Sequence, residues 1–317
     1  MPPVHSGIRL LLVAKFNQRY HRTGPALRDT LAAMGCGVVG VDERTRGFDA
    51  LLRRSLERRL AEAIRANRPD LVLVFKGASL EPGAIDRLRS LGAARWVNWF
   101  PDSPHLLDLS LRIGRAYDRC FIFDTSMVDR HRAMGRTADY LAEGFDPGYH
   151  RPLPEVSWDR ERIAFVGTHE PLRARALESV RDLGLVTWGP GWPRGPLFGD
   201  DFVRAFSNAD IALNVHQFFG EGSEQGRYGT GANRRVFELA GIGTVQLCDA
   251  KLDLERNFTA GREIVTYRNA GELREQARWL LGAADDRRLI AVRARERALA
   301  EHTWRHRLEE LLTVALR

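Results

Sequence analysis

The chain of 317 residues has little cysteine, almost no lysine and no long apolar run. Its three cysteines, Cys36, Cys120 and Cys248, are odd in number, far apart and without a C-x-x-C pair. That excludes a disulfide framework and a structural zinc site, and leaves buried, reduced thiols as the expectation. The longest apolar stretches, 10–14 and 71–75, fall far short of the ~20 residues of a membrane-spanning helix. No signal-peptide pattern precedes them, so no transmembrane segment and a cytoplasmic location are expected. Also missing are a G-x-x-x-x-G-K-[ST] loop, an H-E-x-x-H pair, a G-x-S-x-G elbow and a strict D-x-D. Their absence argues against P-loop NTPase, zinc-protease and α/β-hydrolase chemistry, and no metal ligand set is expected. Neither internal repeats nor low-complexity segments occur.

What is present is ordinary globular composition, 44% hydrophobic and 28% charged, in a chain long enough for two domains. The formal charge is 48 − 41 = +7, and since Lys15, Lys76 and Lys251 are the lysines, the basic groups are nearly all arginine. Residues 1–150 carry 23 basic and 17 acidic groups, the remainder 25 and 24. Much of the excess lies on 51–67, where Leu52, Leu56, Leu60 and Ile64 form a helical stripe amid Arg53, Arg54, Arg58, Arg59 and Arg65. This reads as a solvated helix face. Without aromatic interleaving or a helix-turn-helix or RRM signature, no nucleic-acid partner is expected, while an anionic small molecule or acceptor would suit the surface.

The N-terminal half alternates short β-rich runs (8–14, 38–41, 71–75, 95–99, 120–123 and 138–141) with amphipathic stretches, the pattern of a helix-covered parallel sheet. One helix starts at Thr23-Gly24-Pro25 and stops at Gly35. Around 146–154, Asp-Pro-Gly and Arg-Pro-Leu-Pro suggest a hinge. A second series follows: strand 162–166, helix 171–183, strand 185–188, helix 200–207, strand 210–215, a long glycine-bearing loop, helix 233–240, strands 244–247 and 263–266, and one or two long helices over 272–317. Two Rossmann-like halves are implied. We expect domains at 1–150 and 151–300, with 301–317 a terminal helix.

Gly35-Cys-Gly-Val-Val-Gly40 matches G-x-G-x-x-G but follows a helix and opens a strand, the reverse of a dinucleotide fingerprint, so it reads as a helix stop and strand entry. The informative stretch is 214–243. After Asn214 the loop holds Gly220, Gly222, Gly226, Gly229 and Gly231, then brings Asn233-Arg234-Arg235 to a helix start, with Glu238 a turn further on. Glycines admit close backbone approach, helix-start N–H groups favour an anion, and arginines add forked donors. Glu238 could accept both hydroxyls of a ribose. Ligands of open α/β sheets sit beyond the carboxyl ends of strands. That rule draws in Gly167-Thr168 with Arg173, Asn214 and His216, Lys76, and the Pro-flanked Asp102 and His105, either of which could meet a sugar or act as a base. Lys15 and Arg22 flank the first strand-to-helix loop and are equally well explained by solvation.

Phe165-Val-Gly-Thr168, Ile211-Ala-Leu-Asn214, Arg235-Val-Phe-Glu238-Leu-Ala-Gly241, Glu263-Ile-Val and Glu301-His-Thr-Trp-Arg-His-Arg307 occur in this order. Together with Asp70-Leu-Val-Leu-Val-Phe-Lys76-Gly77 and Trp99-Phe-Pro-Asp102-Ser-Pro, they resemble the CgeB-type glycosyltransferases of bacteria over most of the chain. The resemblance implies an α/β, GT-B architecture: two Rossmann-like domains facing a cleft, the acceptor side N-terminal, a nucleotide-sugar donor held mainly by the C-terminal domain, and the last helix crossing back. It implies a metal-independent, hexosyltransferase-type enzyme with no cofactor beyond its nucleoside-diphosphate-sugar donor. The acceptor would be a small molecule, a glycan or a surface-polymer precursor. In the related family-four enzymes the last Glu of the donor motif holds the ribose, and Glu238 matches it. An acid eight positions earlier in that pattern is replaced here by Thr230. Stereochemistry therefore stays open. An inverting reaction would use Asp102 or His105 as base, and in a retaining one Arg234, Arg235 and the helix start would assist diphosphate departure. A nucleotide-sugar epimerase of the same fold and a non-catalytic nucleotide-binding or spore-coat-like structural protein are the alternatives.

Overall fold

The two longest apolar runs become neighbouring strands that are buried on both faces, as strands at the centre of a helix-covered parallel sheet must be. The computed structural model describes residues 6–16, 22–44, 55–102, 104–153, 161–216 and 229–317. They fall into two compact units, Met1–Ala142 with Trp304–Arg317, and Glu143–Thr303.

In chain order the first unit holds β1 (Arg9–Ala14), α1 (Thr23–Ala33), β2 (Gly37–Asp42), α2 (Leu56–Asn67), β3 (Leu71–Phe75), α3 (Pro82–Arg89), β4 (Arg95–Phe100), α4 (Leu107–Gly114), β5 (Arg119–Ile122), α5 (Thr125–Ala133) and β6 (Ala138–Tyr140). Its strands are all parallel, in the order β2-β1-β3-β4-β5-β6. Alternate β1 side chains serve opposite faces, as a period of two requires. Leu11 and Val13 pack with Leu60, Ile64, Ile85 and Met127 of α2, α3 and α5. Leu10, Leu12 and Ala14 pack with Leu27 and Leu31 of α1. The expected helix stop is present: Met34 caps α1, Gly35 takes a left-handed φ of 85°, and β2 begins two residues later. Of the stripe on 51–67, Leu56, Leu60 and Ile64 are buried, while Leu52, Arg53 and Arg54 lie outside the described residues.

The second unit holds β7 (Glu161–Val166), α6 (Pro171–Glu178), β8 (Leu185–Trp188), α7 (Asp200–Ser207), β9 (Ala209–Asn214), α8 (Arg234–Ile242), β10 (Gln246–Asp249), β11 (Val265–Tyr267), α9 (Ala270–Gly282) and α10 (Ala284–Glu301). Its parallel sheet has the order β11-β10-β9-β7-β8. The helix expected over 171–183 is shorter, ending at Glu178 and followed by a 3-10 turn, Arg181–Leu183, that Gly184 closes with a φ of 88°.

The C-terminal stretch, expected as one or two helices, is three: α9, α10 and α11 (Trp304–Ala315). Ala283 leaves helical geometry, and Asp285 and Asp286 then suit the positive start of α10. The second break comes at His302, whose Nε2–H donates to the Asn257 carbonyl at 2.8 Å while its ring packs on Phe237 and Phe258. Trp304 and α11 belong to the first unit, where the indole meets Trp99 edge-on at 5.6 Å and Arg95 donates to the Ala315 carbonyl. Burial of Trp304, Leu308, Leu311 and Leu312 is worth roughly 6–12 kcal/mol of apolar transfer, an upper bound. The three cysteines are buried and unbridged. No helix among the described residues is long and apolar enough to cross a membrane.

Candidate functional site

In the second unit the sheet order reverses between β7 and β9. The helices after them pack on opposite faces, α6 with Leu177 in one core and α8 with Leu239 and Ile242 in the other. That topology opens a crevice at the carboxyl ends of β7 and β9. Gly167 and Thr168 follow β7, Asn214 ends β9, and the chain returns through Gly229–Asn233 into α8. Gly220, Gly222 and Gly226 lie outside the described residues. The loop after β8 packs hard against the β7 end: at Gly189, with a φ of 135°, any Cβ would collide with the Gly167 carbonyl oxygen. Trp192 Nε1 donates to that same oxygen at 2.9 Å.

Several buried polar groups hold these strand ends in register. Arg173 donates from Nε to the Val215 carbonyl at 3.0 Å and from Nη1 to that of Thr168 at 2.7 Å, and burial lowers its pKa. Asn214 and Asn233 exchange reciprocal amide hydrogen bonds of 3.0 and 3.2 Å, and Asn214 also donates to Gln246. Asn233 is the N-cap of α8, yet its side chain makes no bond to the first helical turn. The usual capping acceptor is thereby turned away from the helix start, leaving an electropositive terminus of the kind that receives anions.

His216 is fully engaged. Its backbone N–H and Nδ1–H both donate to Asp249 Oδ1, at 2.8 and 2.7 Å, while Nε2 accepts the backbone N–H of Asn233 at 3.0 Å. An Nε2 that accepts must be unprotonated, so the ring is the neutral Nδ1–H tautomer. Asp249 is wholly buried. Burial alone would raise its carboxyl, but His216 and then Lys251, 4.0 Å away, outweigh it and hold the group below the usual range. Cys248 lies beside this pair, and the three offer possible ligand atoms within 4.8 Å of one another. Both His216 nitrogens are already bonded, and burial pushes the Cys248 thiol well up, so the arrangement acts as a hydrogen-bond lock.

On α8, Glu238 sits against two arginines and a histidine. Arg234 Nε lies 3.1 Å from Oε1, Arg235 Nε 3.1 Å from Oε2, and His150 Nε2 3.6 Å from Oε1. Arg235 also donates to the Val166 carbonyl and lies over the Phe202 ring at 4.4 Å, and Arg234 approaches Glu143 at 3.6 Å. Burial would raise the Glu238 carboxyl, but His150, Arg235 and Arg234 together keep it below its ordinary value. Burial lowers His150, only partly opposed by Glu238. Each Glu238 oxygen has two lone pairs, so the carboxylate can still accept hydroxyl donors with its arginines in place. Thr230 is buried and donates from Oγ1 to Asp253 Oδ2 at 2.7 Å, so a carboxylate from another segment stands against the position where the related motif has an acid.

The remaining sequence-selected residues belong to the first unit. Lys76 Nζ pairs with Asp102 at 2.9 Å, and His105 is exposed on a short 3-10 turn, Pro104–Leu106. Sequence reasoning missed His150, Glu143, Asp249, Lys251 and Asp253. Asp249 ends a strand and Lys251 is one of three lysines, the signals that had singled out Asn214 and Lys76. His150, Glu143 and Asp253 carry no local signal, because packing alone brings them in.

A family model described as glycosyl transferase-like matches residues 170–313. Among solved structures, sucrose-phosphate synthase from Thermosynechococcus elongatus is 12% identical over 97% of this chain and 98% of its own, with a TM-score of 0.66. HepE of Anabaena, in complex with UDP and glucose, is 12% identical over 96% and 99%, with a TM-score of 0.64. AviGT4, a glycosyltransferase involved in avilamycin A biosynthesis, is 15% identical over 98% and 97%, also at 0.64. A 75-residue stretch is 35% identical to the FAD-binding monooxygenase ausC of Emericella nidulans, covering 22% of this chain and 10% of that protein. The chain spans about a tenth of that curated relative's length, and so short a match carries neither fold nor activity. Taken together, the two parallel sheets and these likenesses give the chain the α/β fold of GT-B glycosyltransferases, with a glycosyl transferase-like segment over residues 170–313.

Proposed function

We propose that the protein is a metal-independent, cytoplasmic glycosyltransferase of CgeB-like type that moves a hexosyl group from a nucleoside-diphosphate sugar to an acceptor hydroxyl. The observation that carries this reading is the start of α8. Arg234, Arg235 and Glu238 cluster there beside strand ends held by the His216–Asp249 lock. The diphosphate would lie against the helix start and Arg234, which supply the positive charge needed as the bond from the anomeric carbon to the leaving diphosphate breaks. Glu238 would accept the ribose hydroxyls. Arg235, tied to Val166 and to Glu238, would position that carboxylate. The acceptor oxygen forms the new glycosidic bond. Its proton goes to Asp102 or His105 in an inverting reaction, or to the departing diphosphate in a retaining one. HepE has been solved with UDP and with UDP-glucose, which makes UDP the first nucleotide to try.

Calorimetric titration of UDP, GDP, ADP, dTDP and CDP, with and without a chelator, tests the reading. One nucleotide should bind selectively and independently of chelator, and Glu238→Ala should weaken it by about 1.5–3 kcal/mol, the scale of hydrogen bonds to a charged group. The isosteric Glu238→Gln serves as a folding control. No binding by any nucleotide would overturn the donor site.

A further inference from the structure

Helix α10 carries two apolar stripes where a surface helix needs one. On its inner side Ile290, Ala291, Ala294 and Ala298 are buried, and Arg295 Nε donates to the Gly241 carbonyl of α8 at 3.2 Å. On its outer side Leu289, Val292 and Leu299 are 47%, 48% and 36% exposed. With Glu296 between them, these residues follow one another at steps of three, four and three along the chain. That is the spacing of a helix that packs on another helix, with 289 and 296 on one edge of the seam and 292 and 299 on the other.

The charges along this stripe are uncommitted. Arg297 pairs with Glu301 at 2.9 Å, but the side chains of Arg293 and Glu296 form no ion pair or hydrogen bond among the described residues. Single exposed aliphatics are ordinary on a protein surface. A helical row of them, with an unpaired acid inside it and an unpaired base one turn away, has the chemistry of one half of a helix–helix contact.

The other half is available on the same helix. With a second copy of α10 laid antiparallel on the first, and a two-fold axis at the level of Ala294, each Leu289 lies opposite the partner's Leu299. Each Val292 then covers the aliphatic stem of the partner's Glu296, whose carboxylate comes beside Arg293. Two symmetric ion pairs result, and the helix dipoles run head to tail. A parallel pair would set Glu296 against its own copy in the middle of the seam, a like-charge contact that opposes it. A lipid surface suits the face less, because it would carry the Glu296 carboxylate into the apolar boundary. We propose that the outer face of α10 is a self-association surface, on which a second copy of this chain docks antiparallel through Leu289, Val292, Leu299 and the Arg293–Glu296 pairs. A contact made by one 18-residue helix, roughly 27 Å long, falls at the low end of protein interfaces, below about 1,200 Å². The dimer is therefore weak and reversible, and it uses no residue assigned to the donor site.

Sedimentation velocity of the full chain from about 1 to about 300 μM, the range of weak interfaces, tests this. Wild type should shift from monomer towards dimer across it. Glu296→Arg and Arg293→Glu should each weaken association by about tenfold or more, because each sets like charges together. The double variant exchanges the two charges and should return to within about threefold of wild type. Met134→Glu, at an exposed methionine of the first unit, should associate like wild type. For the register, Leu289→Cys mixed with Leu299→Cys should form a disulfide under mild oxidation faster than either variant by itself. A wild type that stays monomeric at every concentration, whether or not it co-sediments with phosphatidylglycerol vesicles, would overturn the proposal. So would dimers indifferent to both charge reversals, a double variant that stays monomeric, or cross-links that form as fast within one cysteine variant as between the two. Nucleotide binding by these chains bears on the donor site alone, so the two readings fail independently.

Discussion

Replacing His216 by Phe tests whether this histidine is a lock or a ligand. The substitution keeps an aromatic ring in a site only 6% exposed but removes two side-chain hydrogen bonds, Nδ1–H to Asp249 and Asn233 N–H to Nε2. The first is charge-assisted and worth about 1.5–3 kcal/mol, and a buried N–H left without an acceptor costs about 1–3 kcal/mol. Because the backbone N–H of residue 216 still donates to Asp249 and Lys251 remains nearby, the sum should fall in the lower part of that range, about 3–4 kcal/mol. For a unit of this size, that is a drop in melting temperature of roughly 6–16 °C. Calorimetric and urea unfolding of wild type, His216→Phe, Asp249→Asn and the double variant would measure it, and the two sites should be coupled by about 1–3 kcal/mol. The pH dependence has a definite sign. The folded Asp249 carboxyl lies below its unfolded value, so its contribution is present above the unfolded pKa and is lost as pH falls through the folded one. The gap between wild type and Asp249→Asn should therefore close in acid. A loss below about 1 kcal/mol in His216→Phe, or strictly additive single variants, would refute the lock.

Two further outcomes follow from buried groups. His131 hydrogen-bonds Ser110 at 2.9 Å, and burial, with Arg136 second, pushes its pKa from 6.5 down to about 4. The unfolded chain then takes up a proton that the folded one refuses, so the first unit should lose stability as pH falls from about 6.5 to 4, by up to about 3 kcal/mol. His131→Asn should flatten that slope in urea titrations across the same window. Thr230→Val keeps the shape but removes the 2.7 Å bond to Asp253 Oδ2, at an expected cost of about 1–3 kcal/mol. Unchanged urea unfolding would show that the Thr230–Asp253 contact holds nothing.

Much of the architecture was legible because it is written locally. The apolar runs of β1 and β3 needed no partner to be read as doubly buried strands. Gly35 after an amphipathic stretch could only stop a helix, and Asn233-Arg234-Arg235 announced a helix start rich in donors. The C-terminal stretch was less legible: its helical periodicity runs through residues 283 and 302, and the breaks are a backbone turn at Ala283, whose N–H bonds back to the Leu280 carbonyl, and the hold of Asn257, Phe237 and Phe258 on His302. At the candidate site, strand-end residues such as Asn214 and His216 stood out by position. Their function did not, because His216 is defined by Asp249 and Asn233, 33 and 17 residues away.

The sequence by itself determined the alternation of strand and helix, hence the two parallel sheets, since burial on one or both faces imposes a period that any reader of the chain can find. It also determined which residue types wait at the strand ends. The tertiary structure alone decided who meets whom: that His150 and two arginines surround Glu238, and that Asp253 stands against Thr230. The physical reason is range. Hydrophobic periodicity and capping act over a few residues, whereas a buried charge is set by whatever the sheet order brings within hydrogen-bonding distance, however distant in the chain.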